Sequence, residues 1–116
     1  MKIISLDKVK KAKVTMEGAR DVFKQIPISK DDGSPVFSFR VFTLEAGGYT
    51  PFHTHANEHL NYIIEGSGII ADENGKERVI NKGDFALILP NEKHQYKNKS
   101  KDKHMVMICA VPKEYE

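Results

Sequence analysis

Gly66-Ser67-Gly68-Ile69-Ile70-Ala71-Asp72-Glu73-Asn74-Gly75-Lys76-Glu77-Arg78-Val79-Ile80-Asn81 carries apolar runs on either side of one turn signal, Asn74-Gly75. A two-residue type I′ turn needs positive φ at both centres, and this dipeptide tolerates it best. The stretch therefore predicts a hairpin joining strands over Gly68–Asp72 and Lys76–Asn81. The same pattern extends outward in both directions. Short clusters rich in Val, Ile and Phe predict further strands over Val22–Ile28, Val36–Leu44, Tyr49–His55, His59–Glu65, Phe85–Leu89, His94–Asn98 and His104–Val111. Turn-forming groups separate them: Asp31-Asp32-Gly33-Ser34-Pro35, Ala46-Gly47-Gly48, Gly66-Ser67-Gly68 and Lys82-Gly83-Asp84. The expected fold is all-β, a sandwich or barrel, with room for one helical turn near Leu6–Lys11. The stretch up to about Lys13 is expected to be loosely held or to pack on a partner subunit.

The chain has 116 residues, which suits a single domain spanning 1–116. It is 40% hydrophobic and 29% charged, and no apolar run approaches the roughly 20 residues of a bilayer span, so no membrane association is expected. The N-terminus has no long apolar segment before a small-residue cleavage site, and the expected location is cytoplasmic. Net charge is +2, too small to recruit nucleic acid. The local basic run Lys97-Asn98-Lys99-Ser100-Lys101-Asp102-Lys103 lacks aromatic residues and reads as a solvated edge. A single cysteine, Cys109, excludes an internal disulfide; set within Met105–Val111, it reads as a small buried hydrophobe.

Four of the five histidines occupy two places: Pro51-Phe52-His53-Thr54-His55-Ala56-Asn57-Glu58-His59 and Pro90-Asn91-Glu92-Lys93-His94. Side chains two apart on a strand share a face, so His53 and His55 offer two imidazoles to one point. His59 opens the next strand, and His94 follows a proline-bounded turn. Imidazole ligates Zn, Cu, Fe and Ni, and burying an HxH pair without a partner for its nitrogens is costly. His53, His55, His59 and His94 are the candidate ligands of one divalent transition metal ion.

These residues resemble the cupin motifs. Residues 47–66 read Gly47, five residues, His53-Thr54-His55, three residues, His59, six residues, Gly66. Residues 83–98 read Gly83 to Pro90, then His94 and Asn98. Two departures stand out. His59 occupies the position of the family's glutamate, with Glu58 one residue earlier as the alternative ligand, and Asn91 stands at the usual glycine. Strand parity favours His59, because a one-residue slip turns a side chain to the opposite face. The chain is similar to four-histidine variants among small cupins. The resemblance implies a jelly-roll barrel of six or more strands whose mouth holds Mn, Fe, Ni, Cu or Zn. Imidazole in place of carboxylate leaves the site one charge more positive, which favours M²⁺ over M³⁺ and favours anionic substrates.

Alternation places Asn61 on the face of His59 and Tyr96 on the face of His94, making both polar pocket candidates. Phe37, Phe39 and Val41 form one stripe; Ser38, Arg40, Phe42 and Leu44 form the other, and the pattern does not tell which lines the barrel. Arg40 could bind a substrate carboxylate if its face is inward, but the outward, salt-bridged placement is the expectation, since Arg is seldom buried unpaired. The functions consistent with these features are a metal-dependent oxygenase or other oxidoreductase acting on a small organic substrate, a non-catalytic small-molecule binding or sensing module, and a non-redox Lewis-acid enzyme such as an isomerase. A homodimer is expected, because C₂ pairing is the commonest way to cover apolar outer strands.

Overall fold

The computed structural model describes residues 1–116. Nine strands run β1 (Ala12–Lys13), β2 (Arg20–Ile28), β3 (Phe37–Tyr49), β4 (His59–Glu65), β5 (Ser67–Asp72), β6 (Glu77–Asn81), β7 (Phe85–Ile88), β8 (His94–Lys97) and β9 (Met105–Pro112). The pairing order is β6-β5-β8-β3-β9-β4-β7, with β2 on β3 and β1 on β2. Every pairing is antiparallel, and the sheet curls over itself as a jelly roll. The expected helical turn is a short 3₁₀ segment, Leu6–Lys8.

Four sequence expectations about the backbone are corrected. The hairpin at Asn74-Gly75 forms, with Ala71 opposite Glu77, but not through a type I′ turn. Gly75 has φ 79°, whereas Asn74 keeps negative φ. Asp72 decides the turn: its carboxylate accepts from the Asn74 and Lys76 amides at 2.9 and 3.0 Å, and its carbonyl accepts from Gly75 at 3.0 Å. An acid placed to bond its own following backbone thus selects a longer loop ending in a left-handed glycine.

Gly47-Gly48 is not a turn. β3 runs through it to Tyr49, absorbing the bend as a register shift against β2 between Leu44 and Tyr49, with Gly47 at φ 76°. This bulge lets one strand serve both walls: its first part pairs with β9, and Tyr49 pairs with Lys97 of β8. Nor is Tyr49–His55 a strand. Pro51 has no amide to donate, and beyond Tyr49 the chain touches β8 only at intervals. Thr50 donates to the Tyr96 carbonyl at 2.9 Å, and His53 and His94 exchange backbone bonds at 3.2 and 3.1 Å.

The N-terminal stretch is held rather than loose. The buried Gln25 amide donates to the Leu6 and Val9 carbonyls at 2.9 and 3.0 Å, and Lys2 pairs with Asp32 at 2.7 Å. Between the walls lies a core of Val22, Leu44, Ile63, Ile80, Tyr96, Met105 and Met107. Each such aliphatic side chain contributes about 1.5–3 kcal/mol on burial. On β3 the stripe Ser38, Arg40, Phe42 and Leu44 faces this interior, whereas Phe37 and Phe39 stand half exposed outside. No helix is long and apolar enough to cross a membrane.

Candidate metal centre

His53 and His94 are set side by side by their mutual backbone bonds, and His94 opens β8. His55 follows on the loop after Pro51. Its carbonyl accepts from the Asn91 amide at 2.8 Å, docking the Pro90–Lys93 turn onto the HxH segment. Asn91 has φ 65°, the conformation that explains glycine at this place in the family motif and that Asn tolerates best among the other residues. One ring nitrogen from each of His53, His55 and His94 lies within 4.8 Å of the others.

The tautomers of two rings follow from their partners. His55 Nδ1 lies 2.7 Å from the Asn57 carbonyl and His94 Nδ1 lies 2.9 Å from the Glu92 carbonyl. A carbonyl only accepts, so each Nδ1 carries the proton and each Nε2 presents a lone pair. Those two Nε2 atoms face each other at 3.3 Å. Two lone pairs so placed repel unless a proton or a metal ion lies between them. Burial lowers the pKa of His94 against the pull of the Glu92 carbonyl, and burial with the His55 ring lowers that of His53. This donor set, with imidazoles oriented by backbone carbonyls, fits a divalent transition metal ion.

His59 stands beside this trio. Its ring stacks on His55 with centroids 3.6 Å apart and planes 13° from parallel, while its Nε2 lies 3.3 Å from an Arg40 guanidinium nitrogen. Guanidinium only donates, so His59 Nε2 is the acceptor in this contact. Burial first, and the Arg40 charge second, push the His59 pKa down to about 3, so the ring is neutral at neutral pH. Glu58 is solvent exposed.

Asn61 and Tyr96 are both buried and joined, the Asn61 amide donating to the Tyr96 hydroxyl. Burial raises the pKa of the phenol, so it stays protonated, and Asn61 Oδ1 has no partner. Both residues line a cavity of about 150 Å³ together with His53, His59 and His94.

Arg40 corrects the expectation of an outward, salt-bridged side chain. It is only 8% exposed and belongs to none of the four ion pairs. Its guanidinium donates to His59, to the Cys109 sulfur at 3.1 Å and to the Tyr115 carbonyl at 3.4 Å, and it lies 5.0 Å above the Phe42 ring. The stripe Ser38, Arg40, Phe42 and Leu44 carried the signal: with Leu44 in the core, alternation brings Arg40 inward. Cys109 is buried, as expected, but lines the cavity opposite Arg40 in the β3–β9 register, and burial raises its thiol pKa. Lys24, Thr50 and Met16 also line the cavity and carried no sequence signal.

The basic run resolves into an edge: Lys97 and Lys99 both pair with Glu77, at 3.2 and 2.9 Å. Asn98 is structural; its buried amide donates to the Leu44, Glu45 and Lys103 carbonyls.

Comparisons with known proteins place this geometry. Among solved structures, the polyketide cyclase RemF from Streptomyces resistomycificus is similar, with 25% identity and a TM-score of 0.92 over 97% of this chain and 80% of that one. A predicted oxalate decarboxylase from Thermotoga maritima shares 21% identity and a TM-score of 0.82 over 96% of this chain and 98% of that one. Ectoine synthase from P. lautus shares 23% identity and a TM-score of 0.74, with coverage of 97% and 78%. The last two show the fold alone. A search of curated proteins found no match. The cupin domain family matches residues 40–111, from Arg40 on β3 through the histidine cluster to the end of β9. With the jelly roll, the HxH segment and His94 all in place within that span, the chain belongs to the cupin family.

Proposed function

We propose that this cupin is a divalent-metal enzyme that acts on a small organic molecule held in the 150 Å³ cavity, with His53, His55 and His94 as ligands and His59 as the fourth once its Nε2 exchanges Arg40 for the ion. The observation that carries the reading is the pair of His55 and His94 Nε2 lone pairs facing at 3.3 Å, each ring fixed by a carbonyl on its other nitrogen. When bound, the ion supplies Lewis acidity toward a carbonyl or enol oxygen. The chain's own residues do the rest. Apolar walls exclude water, and the protonated Tyr96 phenol, within reach of Asn61, offers a hydrogen bond to a substrate oxygen.

Non-redox chemistry is the first reading. An all-imidazole site favours M²⁺, and RemF, at 25% identity and a TM-score of 0.92, is a cyclase. The test is turnover of β-diketones and polyphenols by protein loaded with redox-inert Zn²⁺. Activity with Zn²⁺ that a chelator abolishes supports it; activity only with Fe²⁺ or Mn²⁺ and matched by oxygen uptake replaces it. That second outcome is the oxygenase reading, favoured by the open coordination positions that three or four protein ligands leave on an octahedral ion.

The outer sheet face supports a homodimer. In register, Ile28, Phe39, Ala110, Leu60 and Leu87 form one row across β2, β3, β9, β4 and β7, and Ile108, Tyr62 and Phe85 continue the next row from the buried Val41. Phe39, Leu60 and Leu87 are about half exposed, and Phe85 is 81% exposed. An exposed apolar row of this kind gains cover by packing on its own copy about a two-fold axis. Light scattering is expected to give twice the monomer mass, and Leu60→Lys with Leu87→Glu is expected to halve it.

A further inference from the structure

Arg40 is a buried cation with no anion. Its guanidinium donates only to neutral groups, namely the His59 ring, the Cys109 thiol and the Tyr115 carbonyl, and its Nε has no hydrogen-bond partner. A guanidinium taken this far from water without a carboxylate is expensive, and three contacts with neutral acceptors and the face of the Phe42 ring offset that cost only in part. The cavity it lines holds sixteen residues, among them a second cation, Lys24, and no Asp or Glu. Apolar side chains such as Val14, Met16, Phe42 and Met107 form much of the wall. A space of about 150 Å³ is the size that accepts a benzene ring.

From this we infer that Arg40 is the anion-recognition residue of the cavity and selects a small planar organic acid, an aromatic or enolic carboxylate. The acid group takes the guanidinium's unpartnered side, and the flat body lies between the apolar walls. The inference deepens the proposed function, resting on its placement of substrate in this cavity and adding the substrate's charge class. Arg serves here better than Lys because its planar fork matches a carboxylate and its charge is not lost on burial. Arg40 occupies a β3 position directly opposite Cys109, so the fork is held by a strand pair rather than by a loop.

The experiment uses benzoate as probe and benzamide as its neutral isostere, titrated calorimetrically into the full chain, once metal-free and once loaded with Zn²⁺. Wild-type protein is expected to prefer benzoate by about tenfold to a hundredfold, the range of one charge-assisted contact. Arg40→Met is expected to erase that preference by weakening benzoate far more than benzamide, with Zn²⁺ still taken up by the His53, His55 and His94 trio. Equal preference in wild type and Arg40→Met would overturn the inference and assign the anion to the ion or to Lys24. Should Arg40→Met not fold, Arg40→Lys decides instead: weaker benzoate binding with unchanged benzamide binding supports the fork, and unchanged benzoate binding refutes it. The metal-free arm separates the two readings. Failure to take up Zn²⁺ counts against the metal centre, whereas loss of the benzoate preference there counts against Arg40.

Discussion

His55 and His94 point their Nε2 atoms at each other across 3.3 Å, although their residues lie on a loop and a strand 39 positions apart in the chain. Removing either ring should abolish metal uptake, so His55→Ala and His94→Ala are expected to weaken Zn²⁺ binding at least a hundredfold by competition with a chelator. His59→Ala, which leaves the trio intact, is expected to lose about tenfold. In wild type, free metal at a hundred times Kd should add about 2.7 kcal/mol to stability, a rise in Tm absent from His94→Ala.

Acid should unfold the metal-free protein earlier than its carboxylates alone would require. An unfolded histidine titrates near 6.5, while folded His59 titrates at about 3. Between those values the unfolded chain binds a proton that the folded chain does not, so stability falls as pH drops below 6.5. His53 and His94, also shifted down, contribute with the same sign. Urea midpoints measured in chelator at pH 7, 6 and 5 should decline steadily, and His59→Gln should flatten the decline.

Asn98 fastens the bulge of β3 to the loop before β9. Asn98→Ala leaves the buried Leu44 carbonyl without its side-chain donor and is expected to cost about 3 kcal/mol in urea unfolding. Asn98→Asp should cost more, since it turns an acceptor toward carbonyls. Neither substitution touches a ligand, so metal affinity in the folded fraction should hold.

Asn91 is a conformational requirement rather than a chemical one. At φ 65°, Asn91→Gly should be neutral within about 0.5 kcal/mol, whereas Asn91→Val should lose about 1–2 kcal/mol and loosen the hydrogen bond to the His55 carbonyl. Zn²⁺ affinity should follow that loss, because His55 is docked through this turn.

The strands were legible because the interior and exterior alternate along them; the prediction over His59–Glu65 matches β4 residue for residue. What the alternation does not encode was misread. Bonding from the Asp72 carboxylate overrode the Asn-Gly turn preference. Gly47 reads as a turn residue because left-handed glycine serves turns and bulges alike. Three ligand candidates converge although the first pair sits on a loop: mutual backbone bonds at His53 did what strand geometry was expected to do. Arg40 was misplaced by a sound rule, that Arg is rarely buried unpaired, and the exception falls in the cavity.

The carbonyls that hold His55 and His94 belong to Asn57 and Glu92, each two residues from the ring it orients. A main-chain oxygen persists whatever side chain its residue bears. The aim of both imidazoles is therefore buffered against point substitution at 57 and 92, while inserting or deleting one residue in either short loop would misdirect a ring. In this centre the length of those two loops constrains the rings directly, while the side chains of Asn57 and Glu92 act only on the loops themselves, through the Glu58 carbonyl and the Leu89 amide.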